Sequence, residues 1–143
     1  MKIRVLLVDD EKEFCDLLAE RLEARDFEVV TAFSGVSALE WLQENETDVV
    51  VLDVLMPGMD GVATLKEIKH LKPILEVIML TGNATVQTAV EGMKLGAYDY
   101  LMKPAETKDL VEKIVNAYKR KVEQENRIRQ AEIERIMITR GWG

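Results

Sequence analysis

The chain predicts a single α/β domain built on a five-stranded parallel sheet with helices on both faces. Two observations lead there. Short runs rich in Val, Ile and Leu alternate five times with stretches of helical period, an order that yields right-handed crossovers and parallel pairing. The first and third runs are near-continuously apolar rather than alternating, as strands covered on both faces are. A length of 143 residues suits one core, able to bury about two-thirds of the unfolded surface.

The first strand, residues 3–8, runs into Asp9 and Asp10. Asp10 with Glu13 three positions later reads as a helix start. Phe14, Leu17, Leu18 and Leu22 follow at helical spacing. Cys15 lies on the same pattern; as the sole cysteine it closes no internal disulfide and reads as a buried structural thiol. Residues 27–32 form the second strand, and Ser34 caps a helix carrying Val36, Leu39 and Leu42. The third strand, 48–52, ends at Asp53, and Asp60 caps a third helix through Ala63, Leu65 and Ile68.

The fourth strand, 76–80, leads into Thr81 and Gly82, with Asn83 or Thr85 capping a helix through Val86, Ala89, Val90 and Met93. Gly92 inside that helix costs about 1 kcal/mol relative to Ala, which makes it a labile element. Gly96 closes it as a left-handed residue. The fifth strand, 98–102, runs into Lys103-Pro104, and the last helix begins near Thr107. It need not stop at Tyr118, because residues 119–139 contain neither Gly nor Pro. Val122, Ile133, Ile136 and Met137 make a thin apolar stripe interrupted by Asn126 and Arg129. A solvated arm and a dimerising or partner-binding helix are both open, while Gly141 to Gly143 reads as a frayed end.

Five such strands suggest the flavodoxin-like order 2-1-3-4-5, in which the chain reverses between strands 1 and 3 and a crevice opens at their carboxyl ends. Asp9, Asp10 and Asp53 fall at those ends. Three carboxylates on one rim repel unless a cation sits among them, which points to a hard divalent metal such as Mg2+. Thr81 and Lys103, at the ends of strands 4 and 5, add a hydroxyl and an ammonium to the same rim. Together these form equipment for receiving a phosphoryl group: a carboxylate nucleophile, a metal and fixed donors.

The chain is 48% hydrophobic and 31% charged with a formal net charge of −7. Residues 1–118 carry −10 of it and residues 119–143 carry +3. An acidic body argues against direct nucleic-acid binding. No long apolar run or charged leader suggests a membrane span or export, so a reducing cytoplasm is the expected location.

The set Asp9-Asp10, Asp53, Thr81-Gly82, Tyr100 and Lys103-Pro104, with residues 56–61 after the third strand, resembles the receiver domain of bacterial two-component response regulators. The resemblance covers residues 1–118, leaving 119–143 as a C-terminal helical extension. It implies that Asp53 accepts a phosphoryl group from a sensor histidine kinase or phosphotransfer protein. It also implies that Asp10, Asp53 and the backbone carbonyl of Leu55 hold Mg2+, with Asp9 acting through a metal-bound water. Lys103 would pair with a phosphoryl oxygen through a cis Lys103-Pro104 bond, and Thr81 would bind another oxygen and move toward it.

By the same resemblance, Tyr100 would then swing inward and change the face made by the fourth helix, fifth strand and fifth helix, which addresses a downstream protein or a second copy. Leu55 and Asn83 are positions that tune phosphoryl lifetime in this family. The chain would be a signalling protein rather than an enzyme. Residues 81–104 are similar to receivers attached to ATPase activators of alternative-sigma-factor transcription, yet the chain has no Gly-rich nucleotide loop and no helix-turn-helix region. A stand-alone regulator is the expected form, with the receiver end of a longer protein as the other.

Other functions fit less well. A flavin carrier needs hydroxyls and glycine after the first strand, where Asp9, Asp10 and Glu11 would repel a flavin phosphate. A phosphatase with an aspartyl-phosphate intermediate needs its two acids one residue apart there. A pseudo-receiver acting purely as a protein-interaction module is the alternative, although the acid pair and the lysine are both present.

Overall fold

The computed structural model describes residues 2–54, 56, 58, 60–82 and 86–141. Along the chain run β1 (Arg4–Val8), α1 (Lys12–Glu23), β2 (Glu28–Ala32), α2 (Gly35–Glu44) and β3 (Val49–Leu52). They are followed by α3 (Gly61–Leu71), β4 (Glu76–Thr81), α4 (Val86–Lys94), β5 (Asp99–Met102) and α5 (Thr107–Thr139). All strand pairs are parallel, in the order β2-β1-β3-β4-β5. The expected flavodoxin-like order is the observed one.

The continuous apolar runs have a direct structural cause. Leu6, Val8, Val50, Leu52, Val77 and Met79 face one core with Ala38, Leu42, Leu65 and Ile68 of α2 and α3. Their neighbours Val5, Leu7, Val49, Val51, Ile78 and Leu80 face a second core with Leu18, Leu22, Leu110 and Ile114 of α1 and α5. Successive strand residues point to opposite faces, so burial of both faces requires apolar side chains at every position.

Two of the expected caps form: Ser34 Oγ accepts from the Ser37 amide at 3.1 Å and Asp60 Oδ1 from the Ala63 amide at 2.8 Å. The cap at Asn83 or Thr85 lies outside the described residues. At α1 the expectation fails, because the residue flanking the helix is Glu11, with no side-chain cap bond, rather than Asp10. The reason is local competition. Asp9 Oδ1 takes the Glu11 amide at 2.9 Å, a turn that carries the chain past Asp10 before the helix begins. Gly96 closes α4 at φ +103 as expected. Gly92 has a tertiary reason for being glycine: a Cβ there would lie 2.3 Å from Met79 Cε, so its absence lets α4 approach β4.

α5 is one helix of 33 residues, and a charged junction fixes where it leaves the body. Arg120 makes a two-pronged ion pair with buried Glu76 at the start of β4. Lys121, also buried, reaches Asp48 at 3.5 Å. Asp48 in turn accepts from the Arg4 amide at 2.8 Å and from its guanidinium at 3.1 and 3.2 Å. Burial pushes the Asp48 carboxyl up, but the Arg4 bonds and the charges of Arg4 and Lys121 outweigh it and hold the group below the usual carboxylate range.

An acid held low in the folded state adds stability that is fully present above its unfolded pKa of about 3.9 and is lost as pH falls through the lower folded value. Asp48→Asn therefore costs about 2 kcal/mol at neutral pH and flattens the stability curve below about pH 4. Urea unfolding across the acid range measures both. An unaltered acid limb in the variant would assign that dependence to other carboxylates.

Candidate functional site

The sheet register determines which groups meet. β1 and β3 are neighbours, and the Asp53 amide donates to the Val8 carbonyl at 2.9 Å, which sets Asp53 beside Asp9 at the two strand ends. Asp9 and Asp53 are each 5% exposed, whereas Asp10 faces solvent. Carboxylate oxygens of all three lie within 4.8 Å of one another. The acid cluster expected on the rim is thus assembled.

Lys103 joins it from the far side of the sheet. Its amide donates to the Thr81 carbonyl at 2.9 Å, which ties the end of β5 to the end of β4, and the Lys103-Pro104 bond is cis, as expected. The ammonium donates to Asp9 Oδ2 at 2.6 Å and to Glu11 Oε1 at 3.2 Å, and lies 3.6 Å from Asp53 Oδ2. Thr81 is 1% exposed at the end of β4. Among the described residues, a Cβ added at Gly82 beside it would meet nothing nearer than the Lys103 stem at 3.9 Å.

The charges are incompletely balanced. Burial pushes Asp9 up, and the neighbouring Asp53 adds to that; the Lys103 bond and the Glu11 amide oppose it without restoring the ordinary value. Lys103 is pulled down by burial, yet its bond to Asp9 and the charges of Asp53 and Asp9 outweigh this and raise it. One ammonium held firmly in its charged form faces several acids, one of which is costly to ionise. Such a site favours an added cation.

Tyr100 stands elsewhere. It is 40% exposed and lines an open groove of about 420 Å³ with Ala89, Val90, Met93 and Lys94. The expected site residues therefore form a rim cluster of Asp9, Asp10, Asp53 and Lys103, with Thr81 on the adjoining strand end and Tyr100 on the outer face. Leu55, expected to contribute its carbonyl to the metal, lies outside the described residues.

Three neighbours were not singled out by sequence for these positions. Glu11 touches the lysine, and the Phe14 ring centroid lies 4.1 Å from the Lys103 ammonium. Gly61 sits against the Asp53 backbone, with its amide donating to the Val54 carbonyl at 2.7 Å. Gly61 left a trace in the sequence as the end of the segment 56–61 that follows the third strand, Glu11 as the third acid after the first strand and Phe14 as an apolar position of the first helix, none of them as a contact of Lys103 or Asp53. Cys15, below the site, is buried as expected and its thiol is pushed up to about 12 by burial, so it is an inert thiol at neutral pH.

Comparison with known proteins matches residues 5–115 to the family described as the response regulator receiver domain. The transcriptional regulatory protein ZraR of Salmonella typhimurium is 43% identical over 116 residues, 81% of this chain and 26% of that protein. ZraR of Escherichia coli K12 is 45% identical over 108 residues, 76% of this chain and 24% of that one. The chain thus spans about a quarter of the length of these curated relatives. Among solved structures, a CheY-like receiver domain protein from Methanospirillum hungatei superposes with a TM-score of 0.83 at 29% identity, covering 87% of this chain and 99% of that one. NtrX from Brucella abortus, in complex with ADP, gives 0.81 at 36% identity, covering 87% of this chain and 29% of that one.

Proposed function

The chain belongs to the response regulator receiver domain family, as found in two-component systems, and on that premise we propose that Asp53 accepts a phosphoryl group from the phosphohistidine of a sensor histidine kinase or phosphotransfer protein. One observation carries the reading. Asp9, Asp10 and Asp53 bring carboxylate oxygens within 4.8 Å of each other from two strand ends, and the Lys103 ammonium from a third strand is held among them. Family members are signalling proteins, and no described helix is long and apolar enough to cross a membrane.

In the proposed step an Asp53 carboxylate oxygen attacks phosphorus. The new O–P bond forms as the P–N bond to the donor imidazole breaks, and that nitrogen keeps the electron pair and takes a proton from solvent. Lys103 exchanges part of its contact with Asp9 and Glu11 for an oxygen of the arriving group. Thr81 offers its hydroxyl to another, and open Gly82 leaves room for the approach. The carboxylate oxygens of Asp9, Asp10 and Asp53, with charge in excess of the lysine, fit Mg2+, which Asp10 and Asp53 would hold directly and Asp9 through water. When bound, the ion supplies charge neutralisation for the transferring oxygens.

Thr81 and Tyr100 act as the switch. A Thr81 shift toward the new phosphoryl group opens space behind it, and Tyr100 moves inward from the groove beside Met93, altering the α4, β5 and α5 face offered to a downstream protein. Residues 1–118 serve as the receiver and 119–143 as a helical extension that carries the change outward. Exposed Ile128, Ile133, Ile136, Met137 and Ile138 support contact of that extension with a partner, a second copy included. Incubation with acetyl phosphate and Mg2+ tests the core of the reading: one acid-labile phosphoryl group is expected, and none where the metal is chelated beforehand. A chain that takes up none rules the reading out.

A further inference from the structure

Phe14 occupies the first turn of α1 and is half-buried, with its ring centroid 4.1 Å from Lys103 Nζ. Asp9 and Glu11 accept from the ammonium at 2.6 and 3.2 Å, and Asp53 lies at 3.6 Å. The ring adds a contact of a different kind, its π face toward the cation. A separation of 4.1 Å is well inside the roughly 6 Å reach of cation–π attraction, which strengthens as the cation loses water. The Lys103 side chain is 13% exposed, so that condition is met.

Lysine is a compact charge on a flexible four-carbon stem. Coulomb attraction alone draws it toward whichever carboxylate is nearest, and Asp9 is nearer than Asp53 by 1.0 Å, the difference between 3.6 and 2.6 Å. A ring face constrains the ammonium from the side without competing for its proton donors.

We infer that Phe14 is a positioning residue for Lys103, a π platform that holds the ammonium within the acid cluster, in reach of both Asp9 and Asp53. The inference rests on the reading of Lys103 as the partner of the phosphoryl oxygens. Leucine at position 14 keeps an apolar side chain but removes the π face; tyrosine and tryptophan keep the face.

The test measures the rate of phosphorylation by acetyl phosphate with saturating Mg2+ in the full chain, with thermal unfolding alongside. Phe14→Leu is expected to slow the reaction about three- to tenfold, while Phe14→Tyr and Phe14→Trp stay within about twofold of the parent. In a Lys103→Met background Phe14→Leu is expected to change nothing further, because the residue acts through the lysine. Phe14→Met provides the same comparison if the leucine variant unfolds. Equal rates for parent and Phe14→Leu, a Tyr variant as slow as the Leu variant, or an undiminished leucine effect without Lys103 would each overturn the inference. Absence of phosphorylation in the parent would instead remove the reading of Lys103, and the inference with it.

Discussion

Asp53→Asn is expected to fold normally and to carry no acid-labile phosphoryl group after incubation with acetyl phosphate and Mg2+. The substitution is nearly isosteric, so the backbone bond from the Asp53 amide to the Val8 carbonyl is untouched. What disappears is the anionic oxygen that attacks phosphorus. An amide is a poor nucleophile, and loss of the attacking group typically removes a rate factor of roughly a thousand or more. The variant also deletes one negative charge from a cluster whose oxygens lie within 4.8 Å, and Asp9 is already pushed up by burial and by Asp53.

Stability is therefore expected to hold or to rise by about 1 kcal/mol, read as an unchanged or higher midpoint in thermal unfolding. The two results work together. A variant that unfolds early would make its loss of labelling uninformative, whereas a stable, unlabelled one assigns the acceptor. Labelling that persists in a stable Asp53→Asn chain would transfer the acceptor role to Asp9 or Asp10.

The strand ends were legible because both signals there are one-dimensional. A parallel strand writes itself as a short, mostly apolar run, and the first polar residues after it mark its carboxyl end. Asp9, Asp10, Asp53, Thr81 and Lys103 were found that way, and the 2-1-3-4-5 order then required the first three to converge. The start of α1 was misread for a local reason: Asp9, Asp10 and Glu11 are three adjacent acids, and nothing in their order shows that Asp9 takes the Glu11 amide.

Contacts made across the fold were not legible at all. Lys121 reads as a surface lysine on a polar helix, yet it is 8% exposed because Asp48, 73 positions away, meets it. Phe14 reads as an ordinary apolar residue of α1, and only the return of β5 brings Lys103 over its ring. Helical continuity through residues 119–139 was visible from the absence of breakers, whereas the charged junction that anchors that helix was not.

Gly61→Ala is expected to be the most disruptive conservative change near the site. Gly61 opens α3 directly beneath Asp53, and a Cβ there would lie 2.2 Å from the Asp53 carbonyl oxygen and 2.4 Å from Val54 Cα. Both obstacles are backbone, so no rotamer change relieves the clash; either α3 moves or the Asp53 loop does. Overpacking of this kind costs about 1–3 kcal/mol, and separating the elements also breaks the 2.7 Å bond from the Gly61 amide to the Val54 carbonyl, adding about 1 kcal/mol.

A loss of about 2–4 kcal/mol in a domain of this size lowers the unfolding midpoint by roughly 5–15 °C. Phosphorylation should suffer beyond what stability alone dictates, because the displaced segment carries the nucleophile. Gly82→Ala is the informative contrast. Among the described residues its Cβ would meet only the Lys103 Cβ at 3.9 Å, an ordinary contact, so its midpoint should match the parent within about 2 °C. Calorimetry on the two variants side by side decides the matter: equal midpoints would mean that α3 seats against Asp53 loosely enough to admit a methyl group, and that Gly61 does not hold the acceptor in place.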